Sequence, residues 1–224
     1  MILAPQGDLL MNEPSGIIGV DEAGKGDYFG PLVIAACYSD DNIEKAFLGF
    51  GLRESKKVSD SRAFLLEKEI KKITPFEIVV IGPEKYNELH AKIGNLNKLL
   101  AWGHARALEN LLAKVNPLEV VSDQFGNKRF IENALLKKGK GVKLTQQTRA
   151  EIVPAVAAAS ILARAEFLRR LDSISNDTGL LIPKGAGAPV DEAGVRFVSK
   201  FGREELSKVA KIHFKNSARI LSRV

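Results

Sequence analysis

At 224 residues and 45% hydrophobic content the chain can bury one sizeable core, with room for at most an appendage. No apolar stretch reaches the length of a membrane span, and the start lacks the basic and apolar regions of a signal peptide. With no repeat or low-complexity tract either, a cytoplasmic protein off the membrane is expected. The single cysteine, Cys37, excludes a zinc-cysteine cluster, and its place in Leu32-Val33-Ile34-Ala35-Ala36-Cys37-Tyr38 reads as a small buried hydrophobe.

In chain order, the apolar run Gly16-Ile17-Ile18-Gly19-Val20 predicts a buried first strand. Further strands are expected at 31–39, 76–82, 118–122 and 142–148. Helical periodicity marks 60–73 behind the capping residues Ser59 and Asp60, then 95–115, 128–138 and the alanine-rich 153–174. Short early connections predict that the first three strands form an antiparallel meander. Helical crossovers before the fourth and fifth imply parallel neighbours, giving a mixed α/β sheet covered on both faces.

The net charge of +6 is concentrated at the end. From Ala193 onward Arg196, Lys200, Arg203, Lys208, Lys211, Lys215, Arg219 and Arg223 face only Glu204 and Glu205, so this segment carries the whole excess. A basic tail on a neutral core fits contact with a polyanion, whose neutralised phosphates release counterions; the ordinary alternative is a solvated helix face.

Chemistry gathers at the end of the first strand. Asp21-Glu22 is followed by the glycine-punctuated turn Ala23-Gly24-Lys25-Gly26, which sets acids beside bare backbone. Mg²⁺ favours carboxylate oxygens, and glycines let backbone groups approach a ribose closely. Asp123 closes the fourth strand, and Glu151 stands in Thr148-Arg149-Ala150-Glu151-Ile152-Val153, where an acid is equally a routine helix-start residue. Taken together, acids from three segments reach one end of one sheet, which solvation alone does not require. Neighbours on a strand point to opposite faces, so Asp21 and Glu22 share a site only if the strand ends or bulges, and Ala23-Gly24 is expected to supply that break. Such a set fits hydrolysis of a phosphodiester by two divalent ions, with no side-chain nucleophile. His90 and His104 read as helix residues and His213 as packing beside Phe214; none is assigned to catalysis. Trp102 and Tyr28 read as core or as base-stacking aromatics. Gly185-Ala186-Gly187, after Pro183-Lys184, fits the path of a phosphate backbone but lacks the setting of a P-loop.

Taken in order, these motifs resemble a type 2 ribonuclease H, and within that group ribonuclease HIII. Gly24-Lys25-Gly26 is similar to the Gly-x-Gly loop after the group's Asp-Glu pair, and Asp27-Tyr28-Phe29-Gly30-Pro31 is similar to the HIII continuation. Ser55-Lys56-Lys57 matches the Ser-Lys-Lys motif; Asn95-Leu96-Asn97, Ala101-Trp102, Leu108-Glu109-Asn110, the run from Ala157 to Arg164, the run from Pro183 to Gly187 and His213-Phe214 also resemble HIII sequence.

The resemblance implies an RNase H-like fold and cleavage of the RNA strand of RNA/DNA hybrids with Mg²⁺ or Mn²⁺, two ions in all, leaving 5′-phosphate and 3′-hydroxyl ends. It implies catalytic and metal-binding roles for Asp21, Glu22, Asp123 and Glu151. It also implies a ribose-reading role for Gly24, Lys25 and Gly26, and phosphate contacts for Ser55, Lys56, Lys57 and Lys184. HIII more often has threonine where Lys25 stands. HIII proteins usually carry an N-terminal domain resembling the TATA-binding protein fold; here residues 1–15 form only a short extension, and 16–224 a catalytic domain with a basic C-terminal helical segment. The partner expected is nucleic acid, and the protein is expected to be a monomer. The alternatives are HII-like incision at single ribonucleotides in DNA, and a non-catalytic hybrid-binding module, which would require a defective acid set.

Overall fold

Strands β1 (Ile17–Ala23), β2 (Leu32–Ser39), β3 (Phe76–Ile81), β4 (Glu119–Asp123) and β5 (Lys143–Gln147) form one sheet in the order β3-β2-β1-β4-β5. This computed structural model describes residues 13–224 apart from 53–57, 125, 127–128 and 136–138. The β1-β2-β3 portion is antiparallel, and β4 and β5 run parallel to β1, as expected. Only the β1–β2 link is short, however; α1 and α2 lie between β2 and β3, so that pair is antiparallel despite a helical connection. All of β2 is buried, which accounts for its unbroken apolar run and for the burial of Cys37.

The helices are α1 (Asp41–Gly49), α2 (Asp60–Ile73), α3 (Pro83–Ile93), α4 (Leu96–Leu111), α5 (Arg129–Ala134), α6 (Pro154–Thr178), α7 (Ala188–Phe201), α8 (Leu206–Val209) and α9 (Lys215–Leu221). Two of them, α1 and α3, were not expected from periodicity; end signals define both. Asp40 caps α1 by accepting from the N–H groups of Asn42 and Ile43, and α3 opens on Pro83 and stops at Gly94 in a left-handed conformation. On one face of the sheet α1, α2, α6 and the C-terminal helices share a core with Val33, Ala35 and Cys37. On the other, α3, α4 and α5 pack on Ile18, Val20, Ile34 and Ala36. No described helix is long and apolar enough to cross a membrane.

Several of the C-terminal charges have partners within the fold. Lys208 pairs with Glu205 at 2.7 Å, Arg219 with Asp191 at 2.6 Å and Arg223 with Glu192 at 2.8 Å. Asp191 and Glu192 lie just before the segment over which the charge was counted. Lys211 is fully buried.

Candidate active site

Because β1, β4 and β5 are parallel, their carboxyl ends share one edge of the sheet, where open α/β sheets place ligands. The β1–β4 pairing runs to Val20↔Ser122, so Asp21 and Asp123 are the next residue on each strand. Glu151 follows β5 in a tight turn, Ala150–Ile152, ahead of α6 rather than in its first turn. Arg149, with φ of 57°, is the one described non-glycine residue in the left-handed region, and it sets the direction of that turn. The Ala150 N–H donates to Oδ1 of Asp123 at 3.3 Å, tying the Glu151 turn to the end of β4.

The expected break at Ala23-Gly24 comes too late to bring the first two acids to one face. Regular antiparallel pairing with β2 continues through Glu22↔Ile34 and Ala23↔Val33 and holds β1 extended. Alternation therefore persists. Asp21 takes the α6 side, near Ser160, whose hydroxyl favours the charged carboxylate. Glu22 takes the α4 side, where Nε2 of His104 donates to Oε2 at 3.0 Å. The two carboxylates flank the sheet end, just beyond the last β1–β4 pair at Val20↔Ser122.

Their electrostatics differ. Burial, and next the charge of Glu22, push the Asp21 carboxyl up to about 7. Burial also works against the charged form of Glu22, but the hydrogen bond and charge of His104, then Lys25, outweigh it and hold that carboxyl below its usual range. Among the described residues no three His, Cys, Asp or Glu side chains close into a ligand cage by themselves. The donors still fit a hard divalent cation. They are carboxylate oxygens from three segments at one sheet end, and the repulsion between Asp21 and Glu22 is what an added positive charge relieves.

Beside the acids runs a cleft of about 260 Å³ lined by Glu22, Gly24, Asp27, Ser160, Arg164 and Lys184 among others. Gly24 has φ of +84°, and a Cβ there would meet the Pro31 carbonyl at 2.2 Å; Gly26 faces open space. Lys25 reaches back to Oε1 of Glu22 at 3.5 Å. Lys184 and Arg164 both pair with Asp60, at 2.5 and 2.7 Å. Ser55, Lys56 and Lys57 lie outside the described residues.

Tyr28 is buried with its hydroxyl 3.0 Å from Ser217, so it belongs to the core. Trp102 packs against the α4 side of the core. His90 and His213 stack on each other at 4.0 Å between ring centroids. His104 departs from its expected role as an ordinary helix residue. Its signal was a polar residue in the buried stripe Leu100, His104, Leu108, Leu111 of α4. Ser160 and Arg164 had a similar signal, since a spacing of four sets both on one side of α6.

Comparison with known proteins identifies the family. The Ribonuclease HII family matches residues 18–217. Ribonuclease HIII of Protochlamydia amoebophila is 42% identical over 207 residues, 92% of this chain and 69% of that protein. Ribonuclease HIII of Chlamydia pneumoniae is 41% identical over 208 residues, 92% of this chain and 70% of that protein. Among solved structures, Bst-RNase HIII in complex with Mn²⁺ superposes with a TM-score of 0.86 at 33% identity, covering 96% of this chain and 71% of that one. With its mixed sheet, the acids at one edge of it and these matches over most of its length, the chain belongs to the ribonuclease HII/HIII family and is a ribonuclease H enzyme.

Proposed function

We propose that this endoribonuclease cleaves the RNA strand of RNA/DNA hybrids through Asp21, Glu22, Asp123 and Glu151, which would hold two divalent ions, Mg²⁺ or Mn²⁺. The observation that carries this is the meeting of β1, β4 and the Glu151 turn at one sheet edge, with Ala150 bonded to Asp123. When bound, such an ion pair lowers the pKa of an attacking water and stabilises the leaving 3′ oxygen. The protein's part is placement. Gly24 and Gly26 offer backbone groups to the ribose 2′-hydroxyl, Lys25 reaches the same rim, and Lys184 and Arg164 stand where phosphates would pass. Products carry 5′-phosphate and 3′-hydroxyl ends.

The purified protein with a labelled RNA/DNA hybrid and Mg²⁺ or Mn²⁺ is expected to give internal cuts that EDTA abolishes. Residues 180–200 contain no tyrosine to stack under a junction sugar, and Phe197 is buried in the core. Hybrids with about four or more consecutive ribonucleotides should therefore be cut well and a duplex with a single ribonucleotide poorly. Equal rates on the two would favour the HII-like activity instead.

The contact between His104 and Glu22 yields a second expected result. His104→Ala should lower kcat by about 10- to 100-fold with KM little changed, because Glu22 loses the donor that aims it. His104→Gln, which returns an N–H near Nε2, should recover part of the loss. Steady-state kinetics on the hybrid decide the matter, and full activity in the alanine variant would make His104 a packing residue only.

A further inference from the structure

Lys211, in the connection between α8 and α9, is fully buried. Its Nζ donates to three backbone carbonyls of one loop: Asp27 at 2.8 Å, Gly30 at 2.7 Å and Phe29 at 3.5 Å. Around it the same two segments are joined again. The Lys211 N–H donates to the Tyr28 carbonyl at 2.8 Å, and the Gly30 N–H donates to the Val209 carbonyl at 2.9 Å. Phe29 and Ala210 form an isolated β-bridge.

Both ends of this latch are anchored. Behind it, Asn87 of α3 donates to the carbonyls of Ser207 and Ala210 and accepts from the Ile212 N–H at 3.0 Å. Ahead of it, the Gly185 N–H donates to the Asp27 carboxylate at 2.6 Å, and the Tyr28 N–H donates to the Gly185 carbonyl at 2.9 Å. Gly24, Lys25 and Gly26 hang from the held part, with the Asp27 N–H turned back to the Gly24 carbonyl at 3.3 Å.

Burying a lysine is costly. Desolvation, only partly offset by Asp27, brings its ammonium down to about 7. An apolar side chain of the same length would fill the space without that cost but would leave the carbonyls of Asp27, Phe29 and Gly30 without this donor. What only the ammonium supplies is three donors from one point, which draw three carbonyls of a single loop inward.

We propose that Lys211 is a positioning residue, whose buried ammonium gathers the carbonyls of Asp27, Phe29 and Gly30 and so sets the angle at which Gly24-Lys25-Gly26 meets a ribose 2′-hydroxyl. This rests on the ribose-reading role proposed above for that loop. A lysine in the C-terminal segment thereby determines selectivity for RNA/DNA over DNA/DNA without touching substrate.

The test measures binding in the cleavage-impaired Asp123→Asn protein, with and without Lys211→Met, to an RNA/DNA hybrid and to a DNA/DNA duplex of the same sequence. Lys211→Met is expected to lower the affinity ratio of hybrid to DNA by about tenfold, through hybrid affinity alone. In the otherwise unaltered enzyme, Lys211→Met should raise KM by about tenfold while kcat stays within about threefold. An unchanged ratio in a folded variant overturns the proposal, because a purely structural lysine affects both duplexes alike. If the Asp123→Asn protein itself shows no preference for the hybrid, the ribose-reading role fails first and the proposal falls with it. Should Lys211→Met not fold, Tyr28→Phe loosens the same latch by removing only the hydroxyl tie to Ser217. It should lower the ratio by about two- to threefold, and an unchanged ratio there counts against the latch.

Discussion

Asp123→Asn is expected to slow hybrid cleavage by about three orders of magnitude or more while hybrid affinity stays within a few-fold. The substitution separates charge from architecture. Asp123 ends β4, and its Oδ1 receives the Ala150 N–H that fixes the Glu151 turn. The amide oxygen of asparagine can receive the same bond, so the turn and the strand end keep their places. What disappears is one negative charge from the group of oxygens proposed to hold the cations. Single-turnover cleavage and fluorescence anisotropy, run side by side, read the two quantities separately. Turnover near that of the unaltered protein would remove Asp123 from the site and leave the convergence of the acids without a catalytic meaning.

The largest effect on stability is expected from Gly19→Ala, a change of one methyl group in the middle of β1. The added Cβ would stand 2.2 Å from the Ala155 carbonyl carbon and from the Val156 nitrogen, and 2.5 Å from the Ala155 oxygen. Those are backbone atoms of the first turn of α6, so no side chain can swing aside; the helix itself must move off the sheet. α6 is packed along β1, carries Ser160 against Asp21 and follows directly on the Glu151 turn. A loss of about 3 kcal/mol or more in urea unfolding is expected, together with a loss of activity in whatever remains folded. A variant as stable as the parent would mean that the close approach of α6 to β1 is not required.

Much of the frame was legible because it depends on local pattern and connection length. The apolar run before Asp21 announced β1, the short link to β2 announced an antiparallel pair, and helical crossovers announced β4 and β5 as parallel partners; β3 joins β2 antiparallel although α1 and α2 lie between them. What stayed hidden depends on neighbours distant in sequence. Whether Asp21 and Glu22 part to opposite faces is decided by continued pairing with Ile34 and Val33 on β2, not by the glycine that follows them. His104 looked like any polar residue on a mostly apolar helix until α4 was laid on the sheet beside Glu22. The partners of Arg219 and Arg223, Asp191 and Glu192, lie just before the basic segment, and no local signal marks Lys211 as the buried member among eight basic residues. Both unexpected helices, α1 and α3, are defined at their ends more clearly than along their faces.

The position of β1 between β2 and β4 gives its two seams different histories. Pairing with β2 closes a single short turn, whereas pairing with β4 closes a loop containing β2, β3 and α1 through α4. The entropy of a longer closure is spent before its contacts return anything, so the β1–β2 hairpin is the local, low-contact-order part of the sheet and the β1–β4 seam a non-local part. Asp21 and Asp123 are the first residues beyond that second seam. The like charges of the site are therefore brought together by the strand pairing with the longest closure, and the four ladder pairs from Ile17↔Glu119 to Val20↔Ser122, with Ile18↔Val120 the apolar one among them, must hold the seam against them.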